Sequence, residues 1–389
     1  FVEYFAREDL WMKQIGIMTY HAAHNFGSVL QAYATQKLLN ELGYSNEIIN
    51  YRLPNQKEYY NKLYSTRFGY KEFLRRLIRF HETDSRKLRI DKFEDFIHRK
   101  LVLTETEYNN YLELRNANFS YPVLLAGSDQ IWNEHCRAEY WTEPRESILG
   151  YYLAIGNAAA ARISFSSSFG GMKKDEIEKY LNYLEKFQSI SIRESEGAEL
   201  LSSMLGRTVY NTLDPTLMLN SEGWKLDGTY SVDEDYIFVY TLNRFKAANE
   251  FVKNAKDLAK KLGKKVVCVS PLSNILDKDI ETHADFGPLD FLSYIRCASL
   301  VITDSFHGTA FSVNFRVPFY NIGKGQDSRK VQLLKKLGLE SRICGNFEEL
   351  IYLNDCACEF DEATKRLNEE RYKTRQYLAT TLREVLPLD

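Results

Sequence analysis

An imidazole, a carboxylate and two hydroxyls stand together in Asp304-Ser305-Phe306-His307-Gly308-Thr309, directly after the short apolar run that ends at Ile302. Histidine is the side chain that moves protons near neutral pH, and it also meets anions. The run through Ile302 reads as a buried parallel strand, Gly308 permits a tight turn or a close backbone approach, and from Thr309 the apolar pattern suits a helix. A helix start at this point offers N–H groups and a positive dipole end beside His307, a setting that favours phosphate or carboxylate. The plainer alternative is a histidine that only hydrogen-bonds at a strand end.

Two further segments stop in the same way. Tyr121-Pro122-Val123-Leu124-Leu125-Ala126 runs into Gly127-Ser128-Asp129-Gln130-Ile131-Trp132-Asn133, and Ile15-Gly16-Ile17-Met18-Thr19-Tyr20 runs into His21-Ala22-Ala23-His24-Asn25-Phe26-Gly27-Ser28. The second is followed by a helical pattern over 29–42 that stops at Gly43. In open α/β sheets ligands sit at the carboxyl ends of strands, so the three segments are expected to line one crevice.

The elements that position these groups alternate between strand and helix. Residues 236–240 and 265–269 read as strands and 246–262 as an amphipathic helix closed by Gly263. That rhythm implies parallel pairing with right-handed crossovers. Asp214-Pro215 is the expected hinge between two sheets, because the residue before proline is pushed out of helical geometry. A charged helical pattern covers 362–385. Met12-Lys13-Gln14 reads as a natural start, with 1–11 an extension of unknown role.

Taken together and in order, Gly27-Ser28-Val29-Leu30-Gln31-Ala32-Tyr33-Ala34, Gly127-Ser128-Asp129-Gln130-Ile131-Trp132-Asn133, Ser191-Ile192-Arg193-Glu194-Ser195, Asp214-Pro215-Thr216-Leu217 and Asp304-Ser305-Phe306-His307-Gly308-Thr309 resemble the polysaccharide pyruvyl transferase family over about residues 12–325. The resemblance implies an α/β chain of two Rossmann-like domains facing a cleft, GT-B-like, with a C-terminal helix packing back on the first domain. Expected boundaries are 12–215 for the first domain, on the acceptor side, 216–325 for the second, on the donor side, and 326–389 for the helical segment. Phosphoenolpyruvate is the implied donor, and a sugar diol the implied acceptor, lipid-linked as is common in capsule synthesis. Many members carry arginine two positions before the histidine, where this chain has Ser305. One guanidinium grip on the donor is therefore missing, to be replaced by lysine or backbone N–H groups.

Ketal formation needs a proton donor, cations for phosphate and carboxylate, and a base for the hydroxyls. His307 is the candidate acid. Arg193 is the candidate clamp, since a planar guanidinium matches either anion, with a salt bridge to Glu194 or Glu196 as its alternative role. Asp129 either takes the hydroxyl proton or caps its turn. Ser305, Gly308 and Thr309 join His307 and Arg193 on the donor side; Asn25, Gly27, Ser28, Asp129, Gln130 and Trp132 shape the cleft or acceptor side. Asp304 orients His307 or holds the turn. No metal-ligand spacing stands out among His21, His24 and the carboxylates, and no cofactor is expected. Two rivals remain: a nucleotide-sugar glycosyltransferase of the same fold, and a catalytically silent sugar-binding or scaffold homologue.

Bulk properties narrow the classes. At 389 residues, 44% hydrophobic and 27% charged, the chain has the composition of a globular protein with room for two cores. A net charge of −2 lacks the basic excess of a nucleic-acid binder. No run of about 18 apolar residues suggests a membrane span. Six scattered cysteines fit neither a zinc ribbon nor a thioredoxin motif and read as reduced thiols, which with no recognisable signal peptide points to a cytoplasmic protein. Residues 71–92 concentrate Lys71, Arg75, Arg76, Arg79, Arg86, Lys87, Arg89 and Lys92 among apolar residues. They read as a basic amphipathic helix lying on the anionic inner face of a membrane, or else as a solvated helix face. Tyr59, Tyr60, Tyr64 and Tyr70 offer rings for stacking on a sugar, or pack in the ordinary way.

Overall fold

A computed structural model of the chain describes residues 14–61, 82–135, 150, 152, 160–323, 328–351 and 358–387. Two parallel sheets dominate. The first has the order β2-β1-β3-β4, from β1 (Ile15–Met18), β2 (Asn46–Ile48), β3 (Val123–Ala126) and β4 (Ala161–Ser164). The short parallel pair β5 (Ser191–Ile192) and β6 (Tyr210–Asn211) lies beside it, tied on by bridges Ile163–Ser189 and Ser167–Ile192. The second sheet has the order β12-β11-β10-β7-β8-β9. Its strands are β7 (Tyr236–Tyr240), β8 (Lys265–Val269), β9 (Glu281–Thr282), β10 (Leu300–Thr303), β11 (Phe319–Ile322) and β12 (Ile343–Cys344). Strands β1, β3, β7, β10 and β11 are buried at every residue, which is why they read as continuous apolar runs rather than alternating ones.

Strand order reverses between β1 and β3 in the first sheet and between β7 and β10 in the second, so each sheet has a switch point whose carboxyl ends open a crevice. The helix after β1, α1 (Phe26–Glu41), starts three residues before the apolar periodicity does. Asn25 caps it, its side chain accepting from Ser28 N at 3.3 Å. Most of α1 is buried, because it packs against both halves: Phe26 stacks on Phe291 with centroids 4.6 Å apart and meets Tyr240 edge-on at 5.7 Å. One apolar cluster accordingly runs through both sheets, with a second cluster confined to the first and a third to the second. Separate cores therefore exist only on the outer faces.

Further helices in chain order are α2 (Glu82–Lys100), α3 (Ser195–Leu205), α4 (Phe245–Lys261), α5 (Pro288–Cys297), α6 (Phe306–Phe315), α7 (Ser328–Leu337) and α8 (Asp361–Val385). The last packs back on the first sheet: Tyr377 Oη donates to Ser164 O at 2.9 Å, Leu213 N donates to Thr374 Oγ1 at 3.0 Å, and Arg375 pairs with Glu41 at 2.7 Å. Asp214 and Pro215, expected as a hinge, are buried. Asp214 caps a 3-10 turn, Pro215–Leu217, by accepting from Thr216 N at 2.9 Å and Thr216 Oγ1 at 2.6 Å.

The basic segment 71–92, expected to lie on a membrane or to form a solvated helix face, turns several of its described cations onto the fold. Within α2, Arg86 donates to Asn274 Oδ1 at 2.8 Å, Arg89 to Phe286 O at 2.8 Å and His24 O at 3.0 Å, and Lys92 pairs with Asp290 at 2.9 Å. These cations join the two halves of the fold, and Arg89 also lies over the rings of Phe26 and Phe93. Lys71, Arg75, Arg76 and Arg79 lie outside the described residues, as do Tyr64, Tyr70 and the 1–11 extension. Among the described residues, no helix is long and apolar enough to cross a membrane. Cys268, Cys297, Cys344 and Cys358 are free thiols.

Candidate functional site

The ends of β1 and β3 are stitched together before they meet the crevice: Thr19 Oγ1 donates to Ser128 O at 3.1 Å and accepts from Gln31 Nε2 of α1 at 2.8 Å. Asp129 follows with a left-handed backbone, φ 71°, a costly conformation for a residue with a Cβ that turns up repeatedly at functional sites. Its carboxylate accepts from Ser28 Oγ at 2.7 Å and from Gln130 N at 2.9 Å. Arg193, delivered by β5, brings Nη2 to 3.5 Å from Asp129 and Nη1 to 2.5 Å from Asp214. The partners of Arg193 are thus Asp129 and Asp214 rather than Glu194 or Glu196.

From the second half, α6 carries His307 in its first turn. Ser305 caps α6, its Oγ accepting from Gly308 N at 3.4 Å, and Gly308 lets the helix close against the Thr303 side chain. The imidazole reaches across to the first half. A Cβ on Gly27 of α1 would overlap the edge of the ring at Nδ1, so glycine is what allows the two elements to touch. His307 Nε2 lies 3.8 Å from Asp214, within ion-pair range but beyond a hydrogen bond. Asp304 does not orient this ring; it holds the turn, accepting from Thr241 Oγ1 at 2.6 Å and Leu242 N at 2.8 Å.

Electrostatics keep both central carboxylates ionised. Burial would raise each, yet Arg193 and then His307 hold the Asp129 carboxyl below its ordinary value and the Asp214 carboxyl far below it. Glu194 behaves oppositely: burial raises its carboxyl, one oxygen accepting from Ser168 Oγ and the other unpartnered. Nε and Nη2 of Arg193 and Nε2 of His307 are likewise buried without a hydrogen-bond partner. Since buried polar atoms are nearly always satisfied, adjacent unsatisfied donors mark a place where an anionic acceptor gains most.

The structure brings Gly27, Ser28, Asp129, Arg193 and His307 together. Asn25 contributes as the cap of α1, and Gln130, with its amide oxygen turned to satisfy both groups, accepts from Arg329 at 2.8 and 3.2 Å. Two expectations are corrected. Trp132 is a core residue, 1% exposed, its ring against Phe169 and Phe187 and its Nε1 donating to Tyr152 O at 3.2 Å. Thr309 is fully buried, with Oγ1 donating to Ser305 O at 3.0 Å and accepting from Asn321 at 2.7 Å. Ser305 spends its hydroxyl on the cap. Two further residues belong to the site: Asp214, which the sequence marks as a hinge position inside one of the family segments, and Arg329, which carries no local signal. His21 and His24 are taken up within the fold, His21 by Asn50 at 3.1 Å and His24 by Glu94 at 2.8 Å. Among the described residues one group has metal-ligand proximity, Glu134, His135 and Glu176, in which His135 pairs with Glu176 at 2.6 Å.

Residues 25–324 match the family model for polysaccharide pyruvyl transferase. Among solved structures, the S. aureus MnaA–UDP co-structure superposes with a TM-score of 0.57 at 12% identity, covering 97% of this chain and 98% of that one. A putative UDP-N-acetylglucosamine 2-epimerase from Listeria monocytogenes gives 0.51 at 11% identity, with 96% of each chain covered. UDP-GlcNAc 2-epimerase from Neisseria meningitidis, bound to UDP-GlcNAc, gives 0.50 at 13% identity, covering 95% of this chain and 99% of that one. At such identities the likeness establishes the fold, two Rossmann-like units facing a cleft as in GT-B proteins. A comparison with curated proteins gives no match.

Proposed function

The chain belongs to the polysaccharide pyruvyl transferase family, and we propose that it transfers an enolpyruvyl-derived group from phosphoenolpyruvate to two hydroxyls of a sugar, forming a pyruvate ketal and releasing phosphate. The observation that carries this reading is the convergence of His307 and Arg193 on Asp214, with buried side-chain nitrogens on both that have no hydrogen-bond partner. His307 hands a proton to the methylene carbon of the donor, which becomes a methyl group. One sugar hydroxyl attacks the central carbon, phosphate leaves with its bonding pair, and the second hydroxyl closes the ketal. Of the two hydroxyl protons, one returns through the site to re-protonate His307 and the other leaves with phosphate. Arg193 holds a donor anion, with Asp214 fixing the guanidinium. Asp129, ionised and bonded to Ser28, accepts a hydroxyl proton.

The acceptor in this reading is a lipid-linked saccharide of a bacterial surface or capsular polysaccharide, and the protein works at the cytoplasmic face of the membrane. Any membrane contact falls to the basic residues outside the described part, since Arg86, Arg89 and Lys92 hold the fold. The test is a release assay with a panel of glycosides. Phosphate release from phosphoenolpyruvate that depends on a vicinal or 1,3-diol supports the reading. Nucleotide diphosphate release from a nucleotide sugar would identify a glycosyltransferase instead, and inertness toward both would identify a silent binding protein.

A further inference from the structure

The charge around His307 does not balance a doubly anionic donor with Arg193 alone. Arg193 already faces two ionised carboxylates, Asp129 at 3.5 Å and Asp214 at 2.5 Å. Even with a protonated His307, those four groups sum to neutrality, so a ligand carrying both a phosphate and a carboxylate needs another cation. The first turn of α7 supplies one. Arg329 places its guanidinium carbon 5.7 Å from the centroid of the Phe306 ring, and Arg193 places its own 5.2 Å from the same ring. Phe306 immediately precedes His307, with the two rings perpendicular and 5.2 Å apart. Arg329 is also the partner of Gln130, whose backbone N donates to Asp129.

The helix is well anchored. Gln332 accepts from Ser195 N at 2.8 Å and Ser195 Oγ at 3.0 Å, which docks α7 onto the loop that carries Arg193. Lys330 donates to Asp304 O at 2.7 Å, which docks it onto the turn before His307. A guanidinium held by its backbone at both strand ends, with an aromatic face beneath it, is pre-organised for bidentate anion binding.

We propose that Arg329 is the second anion-binding side chain of the cleft, so that Arg193 and Arg329 divide the phosphate and the carboxylate of the donor between them. This rests on the reading of the cleft as a phosphoenolpyruvate site and assigns it a residue. Ligand binding then draws the Arg329 guanidinium from the Gln130 amide onto the donor.

Calorimetric titration of the full chain with phosphoenolpyruvate, inorganic phosphate and UDP tests this, alongside steady-state kinetics. Arg329→Gln is expected to weaken phosphoenolpyruvate binding about 10- to 100-fold, the loss of a charge-assisted hydrogen-bond pair. The donor KM rises to match, with kcat at saturation within a few-fold of the parent. Should Arg329→Gln fail to fold, Arg329→Met, which keeps the contact with Phe306 and removes the charge, is read in the same way. Parent-like affinity in a folded variant, or a loss confined to kcat, overturns the role of Arg329 while leaving the donor reading intact. A parent protein that binds UDP and not phosphoenolpyruvate overturns both.

Discussion

Gly27→Ala turns the contact between α1 and His307 into a measurable quantity. In a helix, alanine in place of glycine ordinarily stabilises by about 0.5–1 kcal/mol. Here the added methyl overlaps Nδ1, Cε1 and Cγ of His307, and ordinary carbon contacts need about 3.5–4.0 Å. The ring must therefore move by on the order of 1 Å or more, or α1 must lift, and overpacking of this kind costs about 1–3 kcal/mol. A displacement of about 1 Å at a reacting group lowers turnover by about 10²-fold, and full loss of a general acid by about 10²- to 10⁴-fold. The assay is phosphate release together with a thermal melt, on Gly27→Ala, His307→Ala and the double variant. Gly27→Ala should lose both stability and turnover. In the His307→Ala background the same methyl finds space, so the stability loss should disappear or reverse, a coupling of about 1–3 kcal/mol. Parent-like turnover in Gly27→Ala, or a stability loss that persists undiminished without the imidazole, would refute the claim that these two residues define the cleft.

Other expectations follow from the same geometry. Arg193→Lys keeps the charge but cannot bridge Asp129, Asp214 and the donor, so donor affinity should fall at least about tenfold by titration. Arg193→Gln leaves the buried Asp214 and the half-buried Asp129 carboxylates without their counter-charge and should lower stability by about 3–5 kcal/mol in a urea melt. The imidazole of His21 is buried and its pKa is lowered by that burial to about 4 from an ordinary 6.5, so between those values the unfolded chain binds more protons than the folded one. Stability conferred by neutral His21 is complete above pH 6.5 and is lost as pH falls toward 4, about 3 kcal/mol in all. His21→Gln should flatten this part of the pH–stability curve; an unchanged slope would assign it to other groups. Tyr377→Phe removes a hydroxyl that donates to Ser164 O at 2.9 Å and accepts from Ser189 Oγ at 3.1 Å. It should cost about 1–2 kcal/mol and leave turnover below the melt unchanged, since it loosens α8 rather than the cleft.

Sequence alone determined the features that depend on neighbours along the chain. The strands at 236–240 and 265–269 end where the apolar runs end, and α4 and α8 begin one residue before their periodicity suggests. Three strand ends, each followed by polar residues, mark Asp129 and His307 as crevice residues, because ligands sit at the carboxyl ends of parallel strands; that the ends of two different sheets face each other is a tertiary fact. Tertiary structure decided everything that turns on which side chain faces which. Ser28 and Asp129 are 101 positions apart, and Arg193 and Asp214 are separated by 21, with no periodicity to link them. Whether Trp132 lines a cleft or fills a core depends on Phe169 and Phe187 arriving from other elements, and whether the cations of α2 face lipid or protein depends on where Phe286 and Asp290 fall. Patterns along a chain report which face of an element is apolar; they carry no record of its partner, because that is set by the order in which strands join their sheets.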